Sequence, residues 1–153
     1  MADVITTVGK NHVAEKIGGI GAVADFTYLA VGTDTGTAAV GDTTLGSEIT
    51  GGNLARVTST VTTTTANILQ LQHTWTASAS KAITECGVLN AAAAGELLAR
   101  SDFSAINVDS GDSIQIGELI SWSAISAMIW NVFGETRNIL YAIGRTISCE
   151  AIV

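Results

Sequence analysis

The side chains able to do chemistry are few and far apart. Asp34, Asp42 and Glu48 lie in a stretch rich in Gly and Thr. Carboxylates beside glycine turns can gather around calcium, but the EF-hand register is absent and a solvated acidic loop is the plainer reading. Asp109 and Asp112 flank Ser110-Gly111 and read as a turn. His12 and His73 are the only histidines, and no Gly-x-Ser-x-Gly elbow accompanies them. His12 stands in a helical segment, as a surface or interface residue. Cys86 and Cys149 form neither a Cys-x-x-Cys motif nor a Cys/His pair, so a zinc site has no support. Cytosolic assembly would leave both thiols reduced, and both read as small buried residues. Gly18, Gly19 and Gly21 follow a helix, whereas a dinucleotide site needs its glycines between strand and helix. No Walker loop is present, and no carboxylate pair is marked out for glycoside hydrolysis. The expectation is a protein that is not an enzyme, with no catalytic, cofactor or metal residues.

The elements that would hold a catalytic site therefore read as scaffold. Residues 3–18, DVITTVGKNHVAEKIG, carry Val4, Val8, His12 and Lys16 in one row, with Ile5, Val13 and Ile17 beside it. That spacing predicts a helix over 4–17, stopped by Gly18-Gly19. Phe26–Val31 reads as a strand by its aromatic and β-branched content. Gly32–Gly52 has turn and loop chemistry, with one short helical turn expected around Thr44–Glu48. From Leu54 the pattern is strongly β: ARVTSTVTTTT, NILQLQHTWTAS, KAITECGVLN, GELLARSDF and SIQIGELISW, with a hairpin turn at Thr65–Asn67 and another turn at Asn107–Asp112. Short strands at this spacing predict a mainly β chain, an antiparallel β-sandwich with an N-terminal α-helix. Proline is absent, so Gly, Asn, Asp and Ser must make the turns.

The chain has 153 residues, enough for one domain with a real core. Apolar residues make up 47% and charged ones 14%, so apolar surface must be hidden beyond an ordinary core. A membrane span needs about 20 consecutive apolar residues. The best run, Leu119–Phe133, is shorter and holds Ser121, Ser123, Ser126 and Asn131. The N-terminus lacks the basic region and apolar core of a signal peptide. Burial against other protein subunits remains, and a homo-oligomer, dimer or trimer, is expected. Net charge is −7, and seven scattered basic residues make no patch. Neither nucleic acid nor an anionic membrane is an expected partner.

The order of segments resembles small structural proteins of tailed phages. FTYLAVGTDTGTAAVGDTTLGSEI carries an aromatic-x-Ala-Val-Gly-Thr phrase followed by Asp-Thr-x-Leu-x-x-Glu. The likeness continues through the strand bearing Arg56 and through ITECGVLNAAAAGELLARSDFSAINVDSGDSIQI. It covers about residues 3–116. It implies a β-sandwich that oligomerises on the virion, assembled in the host cytoplasm, and supplies no catalytic residues. The implied role is capsid cement or decoration, bound to the major capsid protein or other virion proteins. The alternative is a tail or head fibre domain that binds a host receptor.

The likeness ends at Gly117, so residues 1–116 are expected to form the helix-plus-sandwich domain and 117–153 a C-terminal apolar arm. Trp122, Ile125, Ile129 and Phe133 have helical spacing, while Ile120, Trp122 and Ala124 also fit a strand. The run from Ile139 to Cys149 alternates as a final strand. Trp122, Met128, Ile129, Trp130, Phe133 and Tyr141 are the residue types found at interface centres. They are the expected attachment residues of the arm.

Overall fold

The computed structural model describes residues 2–65, 68–121 and 149–152. Its elements run β1 (Ala2–Ile5), α1 (Thr7–Gly18), β2 (Tyr28–Gly32), β3 (Val57–Thr58), β4 (Thr60–Thr65), β5 (Ile68–Thr76), β6 (Lys81–Leu89), β7 (Leu97–Val108), β8 (Ser113–Ser121) and β9 (Cys149–Ile152). They form two antiparallel sheets, ordered β1-β7-β6-β2-β3 and β4-β5-β8-β9. One apolar cluster joins the inner faces. It takes Leu29 and Val31 from β2, Cys86 and Val88 from β6 and Ala99 from β7. The other sheet adds Leu71 and Trp75 from β5 and Ile114, Ile116 and Ile120 from β8. The chain is thus a mainly β, two-sheet antiparallel fold with one N-terminal helix, as its strand patterning predicts.

The helix is shorter than its spacing suggests. Residues 2–5 pair with β7, from Ala2 opposite Asp102 to Ile5 opposite Ala99. Val4 and Ile5 fit the helical row by coincidence, and their β-branched side chains suit a strand equally well. Thr6 then fixes the start of α1: its hydroxyl accepts from the Gly9 N–H and donates to the Leu97 carbonyl. Gly19, at φ 64°, closes the helix with N–H bonds back to the last turn. Gly9 is the buried residue of α1 and lies against the backbone of Leu98 in β7.

The loop from 33 to 56 departs from expectation too. Thr44–Glu48 is not helical. Glu48 makes a β-bridge to Gly32, and Ile49 and Thr33 bond to Val31 and Ser47. The loop covers the outer face of β6 and β7, where Leu45 packs with Ala30, Leu89 and Leu97. Ile83–Leu89 is therefore buried on both faces.

β8 runs through to Ser121, with Glu118 and Ile120 buried. The expected division after Ile116 falls inside this strand. β9 pairs with β8 from Gln115 opposite Ile152 to Glu118 opposite Cys149. Trp122, Met128, Ile129, Trp130, Phe133 and Tyr141 lie outside the described residues. Among the described residues no helix is long and apolar enough to cross a membrane.

Candidate functional site

The densest set of charged groups lies where the 33–56 loop meets the outer face of β6 and β7. Arg100 of β7 stands opposite Gly87 of β6 in the ladder. Its Nε donates to Glu85 Oε2 at 2.8 Å, Nη1 to Asp42 Oδ2 at 2.7 Å, and Nη2 to Asp34 Oδ2 at 2.7 Å and to the Gly36 carbonyl at 3.2 Å. A planar guanidinium with forked donors can serve three carboxylates at once, which an ammonium cannot. Arg100 is 5% exposed and Glu85 is fully buried, while Asp42 and Asp34 are 25% and 35% exposed.

Glu85 has further donors. The backbone N–H groups of Ser47 (2.8 Å), Gly46 (3.1 Å) and Asp34 (3.4 Å) point at its carboxylate. The ladder between β6 and β7 shifts register between Ile83 and Glu85. Such an irregularity re-aims side chains. Here two successive residues both reach the loop, since Thr84 Oγ1 donates to the Asp34 carbonyl at 2.6 Å. Close approach also needs glycines. A Cβ at Gly32 would strike the Glu85 side chain, and one at Gly46 would strike Asp34.

One guanidinium among three carboxylates sets the electrostatics. For Asp42, burial pushes the carboxyl up. The Ala39 N–H, the Arg100 hydrogen bond and the Arg100 charge outweigh this and hold it below its ordinary value. For Arg100, burial disfavours the charged form. Hydrogen bonds to Asp42 and Glu85, the Glu85 charge and the Asp34 bond outweigh that and hold its pKa above the ordinary value.

A second clamp closes the other end of the loop. Arg56 binds Glu48 through Nε at 2.9 Å and Nη2 at 2.5 Å. Its Nη1 donates to the carbonyls of Ala91 (2.8 Å) and Ala94 (2.6 Å) in the β6–β7 connection. The Thr7 N–H of α1 adds a bond to the Val40 carbonyl at 2.7 Å. Loop, helix and β6–β7 connection are thereby tied into one face.

The other candidates occupy quieter places. His12 is 19% exposed and meets Glu96 at 2.5 Å and Glu15 at 3.6 Å, so it ties α1 to the start of β7. His73 stacks edge-on against Trp75, and burial lowers its pKa. Asp109 and Asp112 form the β7–β8 turn, in which the Asp109 N–H donates to the Asp112 carboxylate at 2.8 Å. Cys86 is buried, and its Sγ donates across the sandwich to Glu118 Oε1 at 2.8 Å.

The sequence offers Asp34, Asp42 and Glu48 as a solvated acidic loop or, less plainly, as carboxylates converging on a cation; the structure corrects the solvated reading, since all three are paired with arginines. The first two do converge, and the cation is the Arg100 guanidinium. Glu48 goes to Arg56 instead. Among the described residues no group of three or more His, Cys, Asp or Glu is placed to hold a metal ion. Sequence reading missed Arg100 and Glu85 as partners. Their available signal was a lone Arg and a lone Glu, the charged residues of the strand segments LLAR and ITECGV. Chemically, the arrangement is a latch: its polar atoms face one another and hold a loop on a sheet. No protein-family model matches this chain, and no curated protein matches it. The likeness to phage structural proteins therefore rests on the quoted phrases alone.

Proposed function

We propose that this chain is a virion structural protein, a capsid decoration or cement module that stabilises a phage particle through protein contacts. The observation that carries the reading is the latch. Asp34, Asp42, Leu45, Glu48, Arg56, Glu85 and Arg100 all belong to the phrases that resemble phage structural proteins, and they are the residues that fix the 33–56 loop. The face they hold is a rigid shape, with Thr35, Gly36, Thr37 and Val40 exposed along the loop. A pre-ordered loop loses little conformational entropy on docking, which suits a clamp between capsid subunits. Many weak copies on one particle then act together. Trp122, Met128, Ile129, Trp130, Phe133 and Tyr141 supply the apolar anchors in this reading.

The test is location and effect. Labelled antibody should decorate the heads of intact particles. Particles stripped of the protein should release their genome at lower temperature and recover on its return. Label confined to tail or head fibres would favour the receptor-binding alternative. Absence from purified particles sinks both.

A further inference from the structure

We infer that β4 is a self-pairing edge, through which two copies of this chain join their four-stranded sheets into one continuous antiparallel sheet. This goes beyond the particle role and stands without it. The argument begins with charge. From Val57 to Ser80 the sequence holds no Asp, Glu, Lys or Arg, although the whole chain carries −7. Copies of an acidic protein repel one another over most of their surface. The β4–β5 hairpin is where that repulsion is weakest.

Topology then puts this hairpin at a boundary. Among the described residues β4 is the outermost strand of its sheet. Edge strands present unpaired N–H and C=O groups, and proteins ordinarily guard them with charge, proline or short length. Among the described residues the other outer strands are guarded. β1 has four residues including Asp3, β3 has two, and β9 has four including Glu150. β4 has six residues, TVTTTT, with neither charge nor proline.

Among the described residues half of β7 is also uncovered, because β1 spans only Ala99–Asp102 of it. The remaining stretch, Phe103–Val108, is bracketed by Asp102 and Asp109. Two copies paired antiparallel over that stretch would set Asp102 of one against Asp109 of the other. Like charges directly opposite are destabilising, so this edge resists self-pairing. β4 has no such bracket.

Exposure points the same way. Register sets Val61 opposite Leu71 and Thr63 opposite Leu69, on the core side of the sheet, with Thr60 and Thr62 on the outer side. All four are exposed, and Val61 is 40% exposed although it shares the core face. A β-branched strand exposed on both faces and along its edge suits a second copy of itself. The pairing is isologous, so it closes at a dimer. A six-residue edge buries well under the roughly 1,600 Å² of a standard interface, in the size class of weak and reversible contacts.

The experiment is sedimentation velocity on the full chain across the micromolar range. The wild type should show a reversible monomer–dimer equilibrium. Thr62→Lys sets like charges near the two-fold axis and should weaken it by about two- to fivefold. Asn11→Lys, the same charge change on the exposed face of α1, should leave it unchanged. Amide exchange in the wild type gives a readout free of substitution: Thr60–Thr63 should exchange more slowly as concentration rises. A monomer at every concentration overturns the inference, including the case where the chain covers its own β4 edge. So does a dimer that Thr62→Lys leaves intact, or exchange at Thr60–Thr63 that ignores concentration.

Discussion

Arg100 holds three carboxylates, and their burial decides which pairing matters. Glu85 is fully buried, so removing the arginine strands a charge inside the protein, an effect of about 3–5 kcal/mol. Asp42 is a quarter exposed, and water screens the loss of its pairing to about 1 kcal/mol or less. Arg100→Met should therefore destabilise the fold several-fold more than Asp42→Asn in urea unfolding. Comparable losses would mean that the pairing with Glu85 is not the anchor. Acid should act in two stages. His73 has a lowered folded-state pKa, so the unfolded chain takes up its proton first. Stability from this group is intact above about 6.5 and is lost as pH falls through its lower folded value. Asp42 is also lowered, so its contribution persists down to its ordinary value near 3.8 and is lost as pH falls through the folded value below that. A urea midpoint series against pH should show both stages, and His73→Gln should abolish the first alone. Of the three carboxylates of the latch, Asp34 and Asp42 stood out in the sequence, with a solvated loop as the plainer reading, and Glu85 did not. Arg100 was not legible as the partner of Asp34 and Asp42, because it lies more than fifty residues beyond them and only the sheet register brings it beneath the loop.

At the scale of elements, strand content was legible because alternation marks a half-buried strand. β5 and β8 follow that rule, with Leu71, Trp75, Ile114 and Ile116 inward. β6 does not, since the loop buries its second face and its register shifts at Ile83–Glu85. A helical period cannot distinguish the first turn of a helix from a preceding β-branched strand, which is why Val4 and Ile5 read as helix. Thr6 was the signal for the true start. The junction between α1 and β7 makes a sharp test. In an open helix, Gly→Ala gains up to about 1 kcal/mol of propensity. Here the added methyl would sit 2.6 Å from Leu98 Cα and O, which are backbone atoms and cannot swing away. Overpacking of this kind costs about 1–3 kcal/mol, so the steric effect wins and Gly9→Ala should destabilise the protein. A rise in thermal midpoint would show that α1 does not seat closely on β7.

At the scale of the whole molecule, the end of the sandwich decides which truncations fold. The resemblance to phage proteins puts that division after Ile116. The sheet puts Glu118 and Ile120 into the interior beyond it. Of the nine residue pairs between β5 and β8, five use residues 117–121. A chain ending at Ile116 would lose those pairs together with the buried Ile120, and removing a large buried side chain costs about 2–5 kcal/mol by itself. Marginal total stability of about 5–15 kcal/mol leaves little after both losses. A chain ending at Ser121 keeps every buried apolar residue named in the core, from Leu29 to Ile120, and loses β9 from the outside of β8. The two truncations should therefore differ sharply: the shorter fails to fold, and the longer retains a strand-dominated circular dichroism spectrum and cooperative unfolding. If residues 122–153 carry the particle anchors, the longer truncation is also the clean test of attachment. It should fold yet fail to bind stripped particles. Binding equal to that of the full chain would move the attachment surface to the latched loop face and away from Trp122, Met128, Ile129, Trp130, Phe133 and Tyr141.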